Sequence, residues 1–279
     1  MRQFIKNVDE LRTLVPNVIY EVDDEDSIFD KLKPHLDASA SWLEQNIVDD
    51  SIVLGENATN FARRFVVNAA MAAAVPSLDL VLTPNGFGVV STSEIAPASK
   101  DRVSSLVSSL NARATFNLTA LVRELHHSEE WRESTEGQLF CSTLISYLDD
   151  IFVDAPDYLK AFDNFKRNVE LAAIFEPLAA NFTGSAFLST AKHAYYTFGE
   201  DGNLPVFTIL RQALRRFIYN CSNKPVAQVC PNHHEMWHLL EPVLNAIRLM
   251  PTVPTSWGEI PGLAQVLPFV NDVKGGYWF

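Results

Sequence analysis

One stretch decides the fold: Leu78 to Ser91, with the sequence LDLVLTPNGFGVVS. It places Asn85-Gly86 between two runs of β-prone residues, which is the strongest short signal for a β-hairpin because both residues tolerate the positive φ of a type I′ turn. If Asn85-Gly86 is the loop, Leu82 lies opposite Val89 and Val81 lies opposite Val90. A two-stranded hairpin is marginally stable alone, so we expect it to pack against its own helices or a neighbouring subunit.

The residues that follow the hairpin predict a long helix that ends near Leu125. Apolar residues recur there at three- and four-residue steps, which is the spacing of one helix face. These positions are Val103, Leu106, Val107, Leu110, Ala114, Leu118, Leu121, Val122 and Leu125. The histidines at its end, His126 and His127, are interpreted as positive complements of the helix dipole.

Almost every other segment also predicts helix. The same periodicity indicates helices at Val8 to Leu14, from Ile28 through Pro34 to Ile47, at Asn57 to Ala74, Gln138 to Phe152, from Leu159 through a bend at Pro177 to a break at Thr183-Gly184-Ser185, and at Phe187 to Tyr196, Leu204 to Asn220, and Cys230 to Met250. The acidic stretch from His126 to Gly137 is interpreted as a polar joint between two halves. The predicted fold is therefore mainly α, with helical bundles, one protruding β-hairpin (about 78–91) and an extended C-terminal tail.

Three regions follow from this pattern. Residues 1–127 form an N-terminal helical domain with the hairpin, residues 138–250 form a C-terminal helical domain, and residues 251–279 form a tail rich in Pro, Gly and aromatic residues. An aromatic tail favours docking on another surface. We expect inter-subunit contacts at the hairpin and the tail, namely at Asn85, Gly86, Phe87, Trp257, Phe269, Tyr277, Trp278 and Phe279.

Composition narrows the class of protein. The chain of 279 residues is 47% hydrophobic and 20% charged, which predicts a folded protein, and its net charge of −12 argues against a nucleic-acid-binding surface. We expect no membrane span and no signal peptide, because no apolar run has the required length. The scattered cysteines, Cys141, Cys221 and Cys230, indicate free thiols in a reducing compartment.

The sharpest local motif is H-E-x-x-H at His234, Glu235 and His238. Two histidines one helical turn apart can hold Zn²⁺, and the glutamate between them can activate a metal-bound water. However, no third ligand follows at the spacing that zinc proteases use. A zinc-dependent hydrolase, or a structural metal at His234 and His238, therefore stays an alternative to ordinary surface histidines, and we expect no cofactor.

Two segments resemble a known family. The acidic run from Asp23 to Asp26 with the helix that follows it, and the run from Leu80 to Val90 with the segment from Ala96 to Val103, are similar to an uncharacterised family encoded in phage and prophage structural gene clusters of gut bacteria. The first segment also resembles the opening of head–tail connector (adaptor) proteins of tailed phages. The resemblance covers about residues 1–125.

The resemblance implies a non-enzymatic virion protein, assembled in the host cytoplasm. Connector subunits form a homo-oligomeric ring that joins the portal protein to tail proteins and lines the channel through which DNA passes without specific binding. An acidic wall suits such a channel, because like charge lets DNA slide. A soluble helical interaction module without a virion role is the second alternative.

Overall fold

The structure, a computed structural model, describes residues 2–15, 28–78, 80–83, 86–89, 100–144, 155–196 and 204–264. The chain is mainly helical, as predicted, and it divides into two compact units. Unit 1 comprises Met1–Phe140 and Tyr147–Lys166, and unit 2 comprises Cys141–Ser146 and Arg167–Phe279. Across the described ranges, none of the helices combines the length and apolarity that a membrane span requires.

The first four helices of unit 1 match the apolar periodicity closely. In chain order the helices of this unit are α1 (Val8–Leu14), α2 (Ile28–Asn46), α3 (Glu56–Ala74), α4 (Lys100–Leu125), α5 (Glu129–Glu133) and α6 (Thr135–Cys141), whose last residue already belongs to unit 2. Helix α3 packs against both α2 and α4. Its buried face carries small side chains, including Ala62, Ala69 and Ala70, which allow the neighbouring helices to approach closely.

Two short strands connect α3 to α4. β1 (Leu80–Thr83) and β2 (Gly86–Val89) pair antiparallel, with Leu82 opposite Phe87 and Thr83 opposite Gly86. The predicted pairing of Leu82 with Val89 is therefore wrong by two positions. The predicted register would place Pro84 in the strand, beside the loop. A residue paired there donates its backbone N–H to the partner strand, and proline has no N–H to donate.

The region from His126 to Gly137 is not a solvated joint. Trp131, at the centre of α5, is fully buried in unit 1, and its ring packs against Phe140 with 5.5 Å between ring centroids. Ser128 caps α5 by accepting a hydrogen bond from the Trp131 backbone N–H at 3.3 Å. Unit 1 therefore extends beyond the predicted boundary at residue 127.

Helix α6 is shorter than predicted. It ends at Cys141, and residues 142–144 are not helical, so the expected helix from Gln138 to Phe152 does not form as one element. The Leu144 backbone N–H donates instead to a Glu176 carboxylate oxygen at 2.6 Å. That carboxylate also pairs with Lys192 at 3.1 Å, and this interaction holds the segment within unit 2.

The remaining helices follow the predicted order, except that the last one lies in the region predicted as an extended tail. They are α7 (Tyr158–Thr183), whose residues up to Lys166 belong to unit 1 and whose residues from Arg167, including Pro177, belong to unit 2, then α8 (Ser185–Tyr196), α9 (Pro205–Asn220), α10 (His233–Arg248) and α11 (Pro261–Ala264). Gly184 separates α7 from α8 with φ of +82°, a conformation that glycine adopts without steric cost. Helices α9 and α10 pack together in unit 2.

Candidate functional site

The two motif histidines lie side by side at the start of α10. His234 and His238 are both exposed, and their Nε2 atoms are 3.0 Å apart. In a tetrahedral zinc site with Zn–N bonds of about 2.0–2.1 Å, two nitrogens lie about 3.3 Å apart. The pair therefore has nearly the spacing of two metal ligands.

Glu235, the glutamate of the motif, forms hydrogen bonds with the residue that caps its own helix. One Glu235 carboxylate oxygen accepts a hydrogen bond from the Asn232 backbone N–H at 2.9 Å, and the Asn232 side chain accepts one from the Glu235 N–H at 2.9 Å. This reciprocal arrangement is a capping box, which satisfies free N–H groups at a helix start. Glu235 thus stabilises the first turn of α10, where its negative charge also complements the helix dipole.

The other ligand types near the motif do not complete a metal site. The His233 ring packs against Phe182 with 4.8 Å between ring centroids, and Cys230 is exposed. Within the described ranges, no group of three or more His, Cys, Asp or Glu side chains is placed to hold a metal ion. The arrangement supplies two histidine ligands and a glutamate that caps the helix.

A cavity of about 370 Å³ lies beside the motif in unit 2. Its lining includes Phe217, Cys221, Lys224, Cys230, Glu235 and His238. The Arg167 guanidinium donates hydrogen bonds to the carbonyl oxygens of Cys221 at 2.8 Å and Lys224 at 2.9 Å. These bonds fix the chain that connects α9 to α10 along one side of the cavity. The cavity is therefore part of the fold of unit 2, and both polar and apolar side chains line it.

The cavity thiol is not set up as a nucleophile. Burial raises the pKa of the Cys221 thiol, and the Glu235 carboxylate adds to that effect, while Lys224 and Arg167 oppose it. Because only the thiolate attacks electrophiles efficiently, a raised pKa keeps Cys221 protonated near neutral pH. The cavity can admit a small molecule, but its thiol is not activated and its glutamate caps a helix.

His126 in unit 1 has a different role from the one predicted. It is buried, and its Nδ1 lies 2.7 Å from the Val122 carbonyl oxygen. Its ring packs on that of Trp131, with 5.2 Å between the ring centroids. Burial lowers the pKa of His126 below the ordinary value of 6.5. The imidazole is therefore neutral near pH 7, so it adds no positive charge at the end of α4.

The predicted interface residues divide into two groups. Trp257 is only 2% exposed, and it packs in unit 2 against Phe187 at 5.0 Å and Phe207 at 5.6 Å. A side chain buried in its own unit cannot serve as a docking surface, so that prediction is wrong for Trp257. Gly86 and Phe87 lie in β2, where Phe87 pairs with Leu82. Asn85, Phe269, Tyr277, Trp278 and Phe279 lie outside the described residues.

Sequence reasoning missed two exposed apolar side chains in unit 1. Phe116 on α4 is 70% exposed, and Val53, just before α3, is 84% exposed. For Phe116 a signal was present, because it falls on the face of α4 opposite the apolar stripe. For Val53 no pattern distinguishes it from the neighbouring Ile52, which is buried.

Comparison with known proteins yields one family. A family of unknown function (DUF6712) matches residues 20–140, which is less than half of the chain and spans helices α2 to α6. No curated protein and no solved structure matches the chain. The similarity therefore assigns no activity, and it falls on the part of unit 1 that carries the hairpin and α4.

Proposed function

We propose that this chain is a structural subunit of a tailed-phage virion, a head–tail connector (adaptor) that forms a ring between the portal protein and the tail. The observation that carries this proposal is the pairing of β1 with β2, together with the first residues of α4. Among the described residues β1 pairs with β2 alone, and a two-stranded sheet has little stability of its own. Such a hairpin gains stability by docking on a neighbouring subunit.

The start of α4 supports the same interpretation. The first ten residues of the helix, 100–109, include no buried side chain, although Val103, Leu106 and Val107 continue the apolar stripe that is buried from Leu110 onward. An apolar stripe that continues past the core of its own unit favours contact with another molecule. In the proposed ring, this stripe and the hairpin together contact the adjacent subunit or the portal protein.

The candidate site in unit 2 agrees with a non-enzymatic role. Glu235 caps α10, and the pKa of Cys221 is raised by burial, so the base of the H-E-x-x-H motif is engaged and the cavity thiol is protonated. The chain charge of −12 suits a channel wall along which DNA passes without sticking. We place the protein in the virion, assembled in the host cytoplasm.

The proposal is tested by substituting residues of the hairpin and measuring the mass of the assembly that the variant forms. Leu82→Ser with Phe87→Ser alters two residues that pair across the ladder, and Leu159→Ser makes the same kind of change at an exposed leucine of α7. Native mass spectrometry of full-length protein, alone and with portal protein, is expected to show loss of the ring for the hairpin variant and retention for Leu159→Ser. Rings that form equally well in the hairpin variant contradict the proposal.

A further inference from the structure

The exposed face of α4 is positively charged in an acidic chain. Residues 102–123 contain three arginines and no Asp or Glu, although the whole chain has 34 acidic residues. Arg113 and Arg123 are exposed, and neither takes part in the ion pairs found within the described ranges. Both lie on the face of Phe116, which follows Arg113 by three residues and precedes Arg123 by seven. We name these three residues the Phe116 face.

Phe116 is the apolar centre of this face. It is 70% exposed, whereas Leu118 and Leu121 on the opposite side of α4 are fully buried. Covering an aromatic ring removes about 150–250 Å² of surface from water, so an exposed phenylalanine between two arginines fits an apolar recess with an acidic rim. Single exposed apolar residues are common, so the exposure of Phe116 does not by itself indicate a binding partner.

Unit 1 contains such a recess. It has a volume of about 290 Å³ and is lined by residues 53–58 together with Glu124, Leu125 and Ser128. Val53, Leu54 and Leu125 supply apolar walls, and Glu56 and Glu124 supply carboxylates. We name it the Val53 recess.

The Phe116 face cannot fill the Val53 recess of its own chain. Phe116 and Glu124 lie on the same helix, eight residues apart, which separates them by about 12 Å along the axis of α4. A phenylalanine side chain does not span that distance, and α4 is continuous between the two positions. A Phe116 side chain that enters this recess therefore belongs to another molecule.

We propose that the Phe116 face of one copy docks into the Val53 recess of a second copy, with Arg113 and Arg123 facing the glutamates around it. This inference rests on the proposed function, since it names a further pair of surfaces, besides the hairpin and the start of α4, through which the subunits associate. The two surfaces differ, so each copy offers one of each, and such contacts close into rings when the rotation between neighbours allows it. DNA is the less suitable partner, because the net charge of −12 on the chain repels phosphates.

Charge reversal tests the contact in the full-length protein. Arg113→Glu/Arg123→Glu places an acidic face against an acidic recess, and Glu56→Arg/Glu124→Arg, which reverses both charged residues of the lining, places a basic face against a basic recess. Each variant alone is expected to lose association by at least about tenfold, measured by native mass spectrometry or light scattering. An equal mixture is expected to regain it, since every contact between unlike copies then joins opposite charges. Phe116→Ser is expected to weaken association without rescue by mixing.

Lys33→Glu/Arg64→Glu is the matched control, because it reverses two exposed cations elsewhere in unit 1. Its association is expected to equal that of the unaltered protein. Reversal variants that assemble normally, or that stay apart when mixed, overturn the inference. So does binding of a DNA duplex that Arg113→Glu/Arg123→Glu abolishes while self-association persists.

The outcomes separate this inference from the proposed function. A ring that forms despite charge reversal overturns the docking surface and leaves the ring proposal standing. A two-copy assembly that responds as described supports the docking surface and contradicts the ring. A chain that stays monomeric in every condition overturns both.

Discussion

The Trp131 indole N–H donates a hydrogen bond of 2.7 Å to the Ile47 carbonyl oxygen, across 84 positions of sequence. It ties α5 to the chain just after α2, and both partners are fully buried. The carbonyl of Ile47 lies beyond the last residue of α2, where helices leave carbonyl groups without partners. Trp131 thus satisfies a helix terminus inside the core of unit 1.

Trp131→Phe is expected to destabilise the protein by about 2–4 kcal/mol, because it leaves the Ile47 carbonyl unsatisfied and removes buried volume. Urea unfolding followed by circular dichroism measures the loss. Trp42→Phe is the control, since half-buried Trp42 packs on Phe65 and Tyr158 through ring contacts. A Trp131→Phe protein no less stable than Trp42→Phe contradicts the assigned role.

Gly137→Ala is expected to destabilise unit 1 by about 1–3 kcal/mol or more, because an added Cβ would collide with the backbone carbonyl of Trp131. The obstacle is backbone, so no side-chain rotation relieves it. At Gly55 an added Cβ meets no atom within 4 Å, and Gly55→Ala is therefore the matched control. Equal melting temperatures for the two variants would show that α6 does not pack on α5 as described.

Stability is expected to fall as the pH drops below about 6.5, because burial lowers the pKa of His126 in the folded protein. The unfolded chain then binds a proton that the folded chain refuses, so the contribution of neutral His126 is complete above pH 6.5 and is lost progressively below it. One such group changes stability by at most about 1.4 kcal/mol per pH unit.

The measurement for His126 is the unfolding free energy of His126→Gln between pH 7.5 and 5.5. The variant is expected to show a shallower decline than the unaltered protein. His127→Gln, at the exposed neighbouring position, serves as the control for a general effect of removing a histidine. A decline of the same steepness in all three proteins would assign the pH dependence to other groups.

Asn232→Ala is expected to cost about 0.5–2 kcal/mol, because it removes the cap of α10. Glu235→Gln is expected to cost less, since an amide oxygen can still accept the Asn232 N–H. Thermal unfolding measures both changes. A hydrolytic activity that depends on zinc and disappears in a stably folded Glu235→Gln protein would instead establish the enzyme alternative.

The sequence predicts those elements whose stabilising contacts recur along one helix face. α1 and α9 begin and end close to the predicted residues, because Pro16 and Pro205 mark a helix boundary and the apolar spacing identifies the buried side. The apolar spacing did not predict the burial of Trp131. Its neighbours Glu129, Glu130 and Glu133 are polar, and its burial depends on a carbonyl group 84 positions away.

The candidate site shows a similar limit. Sequence spacing correctly brings His234 beside His238, since residues four apart meet on one helix face. It does not reveal that Glu235 faces back to Asn232, because a capping box and a catalytic glutamate use the same residue type. Likewise, the aromatic character of Trp257 predicts contact with a surface without showing that the surface is α8 and α9 of its own unit.

The measurement that tests the central claim most directly is the mass of the full-length protein in solution, alone and with portal protein, by native mass spectrometry. We predict a closed ring of many copies, formed by the chain itself or on the portal. A stable monomer that does not bind the portal at any concentration contradicts the connector proposal.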